Sequence, residues 1–404
     1  MNNIRKIDYE NIAGDAWPSF EQYQQGITTQ DINNEIKEKL TPVIPIIPTT
    51  PVYKENDTTI TYQYVLDTYV RGKDHLVPNT YSCNRPWKTV TIDQFTNCIL
   101  CVCDGWLPEP VGQITDFEKL EDIWDNPIAH QIQNDVGGKK YTKCAVTHCG
   151  IGYQDNYESR YQLIFGIDDS CNLSCPSCRR ELRMYDSGPL YEKKLAAVRH
   201  TIDLLNKFEH PIHITMACSG DPLASYIYRP VLHSYVGKST QTFTLFTNGL
   251  LIKKQLDKTA LLNRITEFRI SVDAGSESVY EKVRLGGKWK VLLENFDYLK
   301  DQKLSQYVHL VFVVQKDNYQ DILNFEKLCN TYRFCGTLTH LDDWGTWIDS
   351  NIETPDQWTI DHGTFAENNV LNHQHPEFDK CKKIIQSVRY IGVNLTPRLQ
   401  ELIK

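Results

Sequence analysis

From residue 161 onward, short apolar runs alternate with stretches whose apolar residues recur at helical spacing. The runs predict strands at 162–167, 212–217, 242–246, 267–272, 308–314 and 336–340. The periodic stretches predict helices at 190–207, 223–234, 253–262, 277–300 and 319–332. Apolar strands separated by helices need crossover connections, which gives a parallel sheet with right-handed crossovers. Six units fall short of the eight that close a full barrel. The pattern therefore predicts an α/β fold, an open partial (β/α)6 barrel, with its chemistry in the loops after the strands.

Before residue 161 the pattern is weaker. A helix is predicted at 29–40 behind a threonine cap. Pro42, Pro45, Pro48 and Pro51 then fall at every third position, which suits an extended connector because proline blocks helix and central strand. A strand is predicted at 58–65. The stretch 83–149 opens on Cys83-Asn84-Arg85-Pro86-Trp87, with a strand at 89–92 and a helix around 117–124. It holds six of the thirteen cysteines. The expected organisation is an N-terminal extension (1–80), a small cysteine-rich α+β module (81–155), the partial barrel (156–345) and a C-terminal extension packing on it (346–404).

Composition narrows the chemistry. With 43 basic and 51 acidic side chains in 404 residues, the formal charge of −8 argues against nucleic acid as a partner. No run approaches roughly 20 apolar residues, so no membrane span is expected. The first residues lack the apolar core of a signal peptide, and a cytoplasmic, reducing compartment is expected. There, clustered cysteines read as metal or redox ligands, and scattered ones as small buried hydrophobes.

The loop after the first barrel strand reads Cys171-Asn172-Leu173-Ser174-Cys175-Pro176-Ser177-Cys178. Three thiols this close can converge on one metal centre. Structural zinc would need a fourth ligand, whereas a four-iron cluster on three cysteines keeps one iron open. The later loops carry Ser219-Gly220-Asp221-Pro222, Thr247-Asn248-Gly249, Ser271-Val272-Asp273-Ala274, the stretch Tyr280 to Arg284 with Gly286-Gly287, and Gln315. Singly, these read as turns or a helix cap. In order, at successive strand ends, they resemble the radical S-adenosylmethionine (SAM) enzymes.

The resemblance implies a [4Fe–4S] cluster on Cys171, Cys175 and Cys178, with SAM on the open iron. It implies SAM contacts from Ser219, Gly220, Asp221, Pro222, Thr247, Asn248, Ser271, Asp273 and Gln315. It further implies reductive cleavage of SAM to a 5′-deoxyadenosyl radical that takes hydrogen from a substrate C–H bond. The electron would come from a reductant such as flavodoxin or ferredoxin. Ser177 stands where the family has an aromatic residue, and Asp221 shortens the family's glutamate by one methylene.

The stretch 83–149 resembles the auxiliary-cluster modules called SPASM and Twitch domains, placed here ahead of the barrel. That implies a second [4Fe–4S] cluster on Cys83, Cys101, Cys144 and Cys149, with Cys103 a rival to Cys101 and His148 a substitute beside Cys149. Four thiolates also satisfy tetrahedral zinc, so a zinc ribbon is the alternative. Cys98 is expected in the core. Cys218 and Cys335 are positional candidates for a hydrogen-atom donor, with buried packing the plainer reading. Asp342, Asp343 and Trp344 follow the last barrel strand and are rim candidates, whereas His373 and His375 fall short of a metal site.

Relatives with auxiliary clusters modify peptides, by crosslinking or epimerisation, or dehydrogenate and epimerise carbohydrates and aminocyclitols. Peptide modification is the leading expectation, with carbohydrate chemistry second. A non-enzymatic Fe–S electron-transfer or scaffold protein is the other class, and it would need neither Asp221 nor an open iron.

Overall fold

The computed structural model describes residues 82–101, 110–142, 144, 158–216, 220–342, 346–347 and 356–404. The helix, connector and strand expected before residue 81 lie outside these residues.

The described strands are β1 (Thr89–Ile92), β2 (Asn97–Ile99), β3 (Gly112–Gln113), β4 (Tyr161–Phe165), β5 (Ile212–Met216), β6 (Gln241–Thr247), β7 (Ile265–Ser271), β8 (Val308–Val313), β9 (Cys335–Thr339) and β10 (Val393–Leu395). They form one sheet in the order β10-β9-β8-β7-β6-β5-β4-β1-β2-β3. From β4 to β9 neighbours pair in parallel in chain order, the six-stranded open barrel expected from the sequence. Two further strands extend it. β10 joins β9 in parallel, and β1 joins β4 in parallel across the boundary expected at 155/156. β2 and β3 follow antiparallel, so the cysteine-rich stretch continues the barrel's own sheet.

The two faces of the sheet differ in chemistry. Leu163, Ile214, Leu245, Phe268, Ile270, Leu310 and Phe312 are fully buried on one face, where Phe312 meets Phe325 of the Ile322–Tyr332 helix. The other face carries polar rows: Gln162, His213 and Thr242 stand side by side, as do Thr215, Thr244 and Glu267, then Arg269 and His309. Closed barrels fill this space with branched apolar residues. Here the polar groups satisfy one another. His213 contacts the hydroxyls of Thr242 (2.8 Å) and Thr244 (3.0 Å), Glu267 pairs with Arg269 (3.0 Å), and His309 contacts Thr337 (2.6 Å). Burial pushes the His213 imidazole down to about 3, with Arg160 and Arg269 adding to the shift.

Four expected helices change. The stretch 223–234 forms turns and one wide turn at Pro230–Ser234, because Asp221 takes the Leu223 N–H and Ser225 takes the Tyr228 N–H. The stretch 277–300 splits into Glu277–Val283 and Trp289–Asp301 around Gly286, whose φ is +92°. The helix at 253–262 shortens to Ile252–Leu256. Around 117–124 there are only tight turns, and the helix starts later, at Pro127–Gly137, where the Asn126 side chain caps the Ile128 and Ala129 N–H groups.

Candidate functional site

The site is built on the loop that leaves β4. Asp168 and Asp169, both buried, anchor it. The Asp168 carboxylate accepts the Ser170 N–H and hydroxyl and the Ser225 hydroxyl. Asp169 pairs with Lys194 (3.0 Å) and Arg183 (3.0 Å). Burial alone would raise the Asp169 carboxyl, but these two cations outweigh it and hold it below its ordinary value. The loop then doubles back, with the Cys171 N–H donating to the Arg183 carbonyl at 2.9 Å.

Within this loop Cys175 is buried, Cys171 half-buried and Cys178 exposed. The thiols of Cys171 and Cys175, and of Cys175 and Cys178, stand within electrostatic reach of each other. Each sulfur also receives an N–H from a different side chain. Asn248 Nδ2 donates to Cys171 Sγ (3.8 Å), Arg284 Nη1 to Cys175 Sγ (3.7 Å) and Arg179 Nη2 to Cys178 Sγ (3.7 Å). Burial, helped by the Asp221 carboxylate, pushes the Cys171 thiol up to about 12, and burial raises Cys175 as well. Among the described residues no three His, Cys, Asp or Glu side chains converge on a single metal ion.

The next two loops lock onto the first. A Cβ on Gly220 would lie 2.5 Å from the Ser170 carbonyl oxygen, so only glycine admits this approach. The Asp221 N–H donates to that same carbonyl at 2.8 Å. The Asp221 carboxylate is buried and fully engaged, accepting the Thr247 hydroxyl (2.9 Å), the Asn248 N–H (2.7 Å) and the Leu223 N–H (2.9 Å). It thus ties the loop after β5 to the turn after β6. Gly249 closes that turn at φ +84°, with Ile270 and Leu292 filling the space a Cβ would need.

After β7, Asp273 adopts a left-handed backbone at φ +56°, uncommon outside glycine and typical of constrained sites. Its carboxylate takes the Val313 N–H (2.7 Å) and the Arg284 guanidinium (2.7 Å). Burial raises the Asp273 carboxyl, with Arg284 and the Val313 N–H opposing. Arg284 stands where the first of the two short helices stops, which aims its side chain at Cys175. Three buried polar atoms on these elements have no partner: Arg284 Nε, the Tyr280 hydroxyl and Gln315 Nε2.

The structure thus brings Cys171, Cys175, Cys178, Gly220, Asp221, Thr247 and Asn248 into one hydrogen-bonded assembly, with Asp273 joined through Arg284. Pro222 follows Asp221 and is buried, Ser271 ends β7, and Gln315 follows β8. Ser219, Cys218, Cys103, Cys149, His148, Asp343 and Trp344 lie outside the described residues. Cys335 is a correction: it is the first residue of β9, at the opposite end of the strands from these loops, so it does not face the site. Its neighbour there is Cys329, buried against Gly336. Cys98 is fully buried in the core, as expected; Cys101 is also buried, and Cys83 and Cys144 are half-buried. Sequence reasoning gave no role to Arg179, Arg284 or Lys194. Arg179 has a visible signal in lying directly after Cys178, and Arg284 in ending the Tyr280 to Arg284 stretch; Lys194 is joined to the loop only by folding.

Residues 168–329 match the family described as Radical SAM superfamily, and this stretch is a radical SAM domain. Members of that superfamily are enzymes that cleave SAM reductively with a 4Fe–4S cluster. Among solved structures, the chain is similar to Streptococcus suis SuiB bound to precursor peptide SuiA, at 14% identity and a TM-score of 0.36, over 58% of this chain and 48% of that one. It is similar to anSMEcpe with bound AdoMet and Cp18Cys peptide, at 17% identity and a TM-score of 0.36, over 58% and 62%. A radical SAM methyltransferase from Sphaerobacter thermophilus aligns at 14% identity and a TM-score of 0.34, over 56% and 62%. The chain thus spans about half the length of SuiB. A search of the curated proteins finds no match. No helix among the described residues is long and apolar enough to cross a membrane.

Proposed function

We propose that the chain is a radical SAM enzyme whose substrate is a peptide, modified by crosslinking or epimerisation. The observation that carries the enzyme reading is the three-thiol loop in which every sulfur is met by an N–H from a separate side chain. Cys171, Cys175 and Cys178 would hold the [4Fe–4S] cluster. Gly220, Asp221, Pro222, Thr247, Asn248, Ser271, Asp273 and Gln315, with Ser219 in the same loop, would surround SAM. The residues fit that cargo: Gln315 Nε2, the Tyr280 hydroxyl and Arg284 Nε are buried donors awaiting acceptors such as a carboxylate or ribose hydroxyls. When bound, cluster and SAM together supply a 5′-deoxyadenosyl radical able to take hydrogen from an unactivated C–H bond.

The chain's own residues position and shield. Asp221 acts through the loops, since its lone pairs are spent on Thr247, Asn248 and Leu223. Asp273 holds Arg284 over Cys175, and the buried Asp168 and Asp169 fix where the loop leaves β4. A flavodoxin or ferredoxin would supply the electron, and a cytoplasmic location fits such a donor. Cys83, Cys101, Cys144 and Cys149, with Cys103 the rival to Cys101, would hold an auxiliary [4Fe–4S] cluster. The likeness of 83–149 to auxiliary-cluster modules supports a peptide or a carbohydrate substrate, and of these the peptide is the leading reading.

Anaerobic reconstitution with reductant and SAM tests this. The expected outcome is release of 5′-deoxyadenosine, with about eight irons per chain if both four-iron clusters form. Intact clusters without 5′-deoxyadenosine would defeat the enzyme reading. Replacing Cys171, Cys175 and Cys178 with Ala removes one cluster and all cleavage. Replacing Cys83 and Cys144 with Ala removes the other, and a single zinc in place of that iron overturns the auxiliary assignment. Deuterium transfer into 5′-deoxyadenosine from a peptide, rather than from a sugar, separates the two substrate classes.

A further inference from the structure

We propose that Arg179 raises the reduction potential of the cluster held by this loop. The inference rests on the cluster assignment above and concerns a residue to which that assignment gives no electronic role.

Arg179 is held in place from both ends of its guanidinium. Nη1 donates to the Asp169 carbonyl at 2.7 Å, and Nη2 reaches Cys178 Sγ at 3.7 Å. That carbonyl belongs to the residue whose carboxylate is already matched by Lys194 and Arg183. Arg179 therefore brings a positive charge to Cys178, the exposed member of the three thiols, and the Asp169 carboxylate that also acts on it is shared with Lys194 and Arg183. Arg284 differs. Its Nη1 meets Cys175 Sγ at 3.7 Å, but its Nη2 lies 2.7 Å from the Asp273 carboxylate, which offsets most of its charge. Asn248 gives Cys171 a neutral donor.

Adding an electron to an iron–sulfur cluster increases negative charge on its sulfurs. Hydrogen bonds to those sulfurs and nearby cations favour the reduced state and raise the potential. Removing the Arg179 charge and donor should therefore lower the potential. Removing Arg284 alone has two opposed parts, because it also leaves the Asp273 carboxylate unpaired, so Arg179 gives the clean comparison.

The experiment is an EPR-monitored redox titration of the reconstituted full chain, followed on the signal that added SAM perturbs. Iron and sulfide are assayed on each sample. Arg179→Met keeps side-chain bulk but drops charge and N–H, and the midpoint is expected to fall while cluster content stays near wild type. Arg179→Lys keeps the charge without the fork and should fall less. An unchanged or higher midpoint in Arg179→Met with its cluster intact overturns the proposal. If Arg179→Met does not assemble, Arg179→Gln, which drops the charge and keeps a neutral N–H, decides: a lowered midpoint supports the proposal and a wild-type midpoint overturns it. Absence of any cluster signal in the wild-type chain would instead defeat the underlying assignment.

Discussion

Single residues here are constrained mainly by what folding presses against them. Lys194 and Asp169 are about as buried as core leucines, at 3% and 5% side-chain exposure. Truncating Lys194 leaves the buried Asp169 carboxylate with Arg183 as its remaining cation, so Lys194→Ala should cost about 1.5–3 kcal/mol in urea unfolding. Gly249 combines a left-handed backbone with Ile270 Cγ2 only 2.7 Å from where a Cβ would stand, so Gly249→Ala should destabilise by about 1–3 kcal/mol in the same measurement. His213 gives the pH dependence. Its folded pKa of about 3 lies below the ordinary 6.5, so the unfolded chain binds a proton that the fold refuses. This contribution is complete above about pH 6.5 and is lost as pH falls toward about 3. Between pH 7 and 5 it amounts to roughly 2 kcal/mol, and His213→Gln should flatten that part of the stability profile.

At the level of elements, the Asp221 carboxylate ties the loop after β5 to the turn after β6. Thr247 joins Asp221 to the turn after β6, its hydroxyl donating to the carboxylate and accepting the Gly249 N–H. Thr247→Val keeps the shape and removes both bonds. It should cost about 2 kcal/mol in stability and weaken SAM binding by calorimetry, while iron content stays unchanged. The same scale explains which helices were readable. Long periodic stretches such as Pro189–Lys207 were legible because burial of one face repeats along them. The segments at 223–234 and 277–300 were not, because Asp221, Ser225 and the Gly286 turn redirect backbone bonds that periodicity assumes are helical. Asn126-Pro127 was a readable start signal for Pro127–Gly137, pairing a capping side chain with proline at the first helical position.

Across the whole molecule, the continuous sheet couples the cysteine-rich stretch to the barrel. Val90 and Ile92 of β1 are fully buried within the common core, beside β4. Ile92→Ala should therefore lower stability by about 2–5 kcal/mol. It should do so in one transition seen alike by tryptophan fluorescence and by far-UV circular dichroism. Two separate transitions would show that the two stretches fold independently.

Sequence alone determined the six parallel strands of the barrel and the loops that follow them, because alternation, helical period and cysteine spacing are local properties. It also supplied Cys171, Cys175 and Cys178 as neighbours, since a few residues on one loop cannot stray far apart. Only the tertiary structure decided that β1 continues the sheet, that Cys335 starts its strand at the far end, and that Asn248, Arg284 and Arg179 each meet a different sulfur. Asn248 and Arg284 lie 77 and 109 residues from the thiols they touch. No local pattern encodes contacts at that separation; strand register and the packing of one loop on the next bring them together.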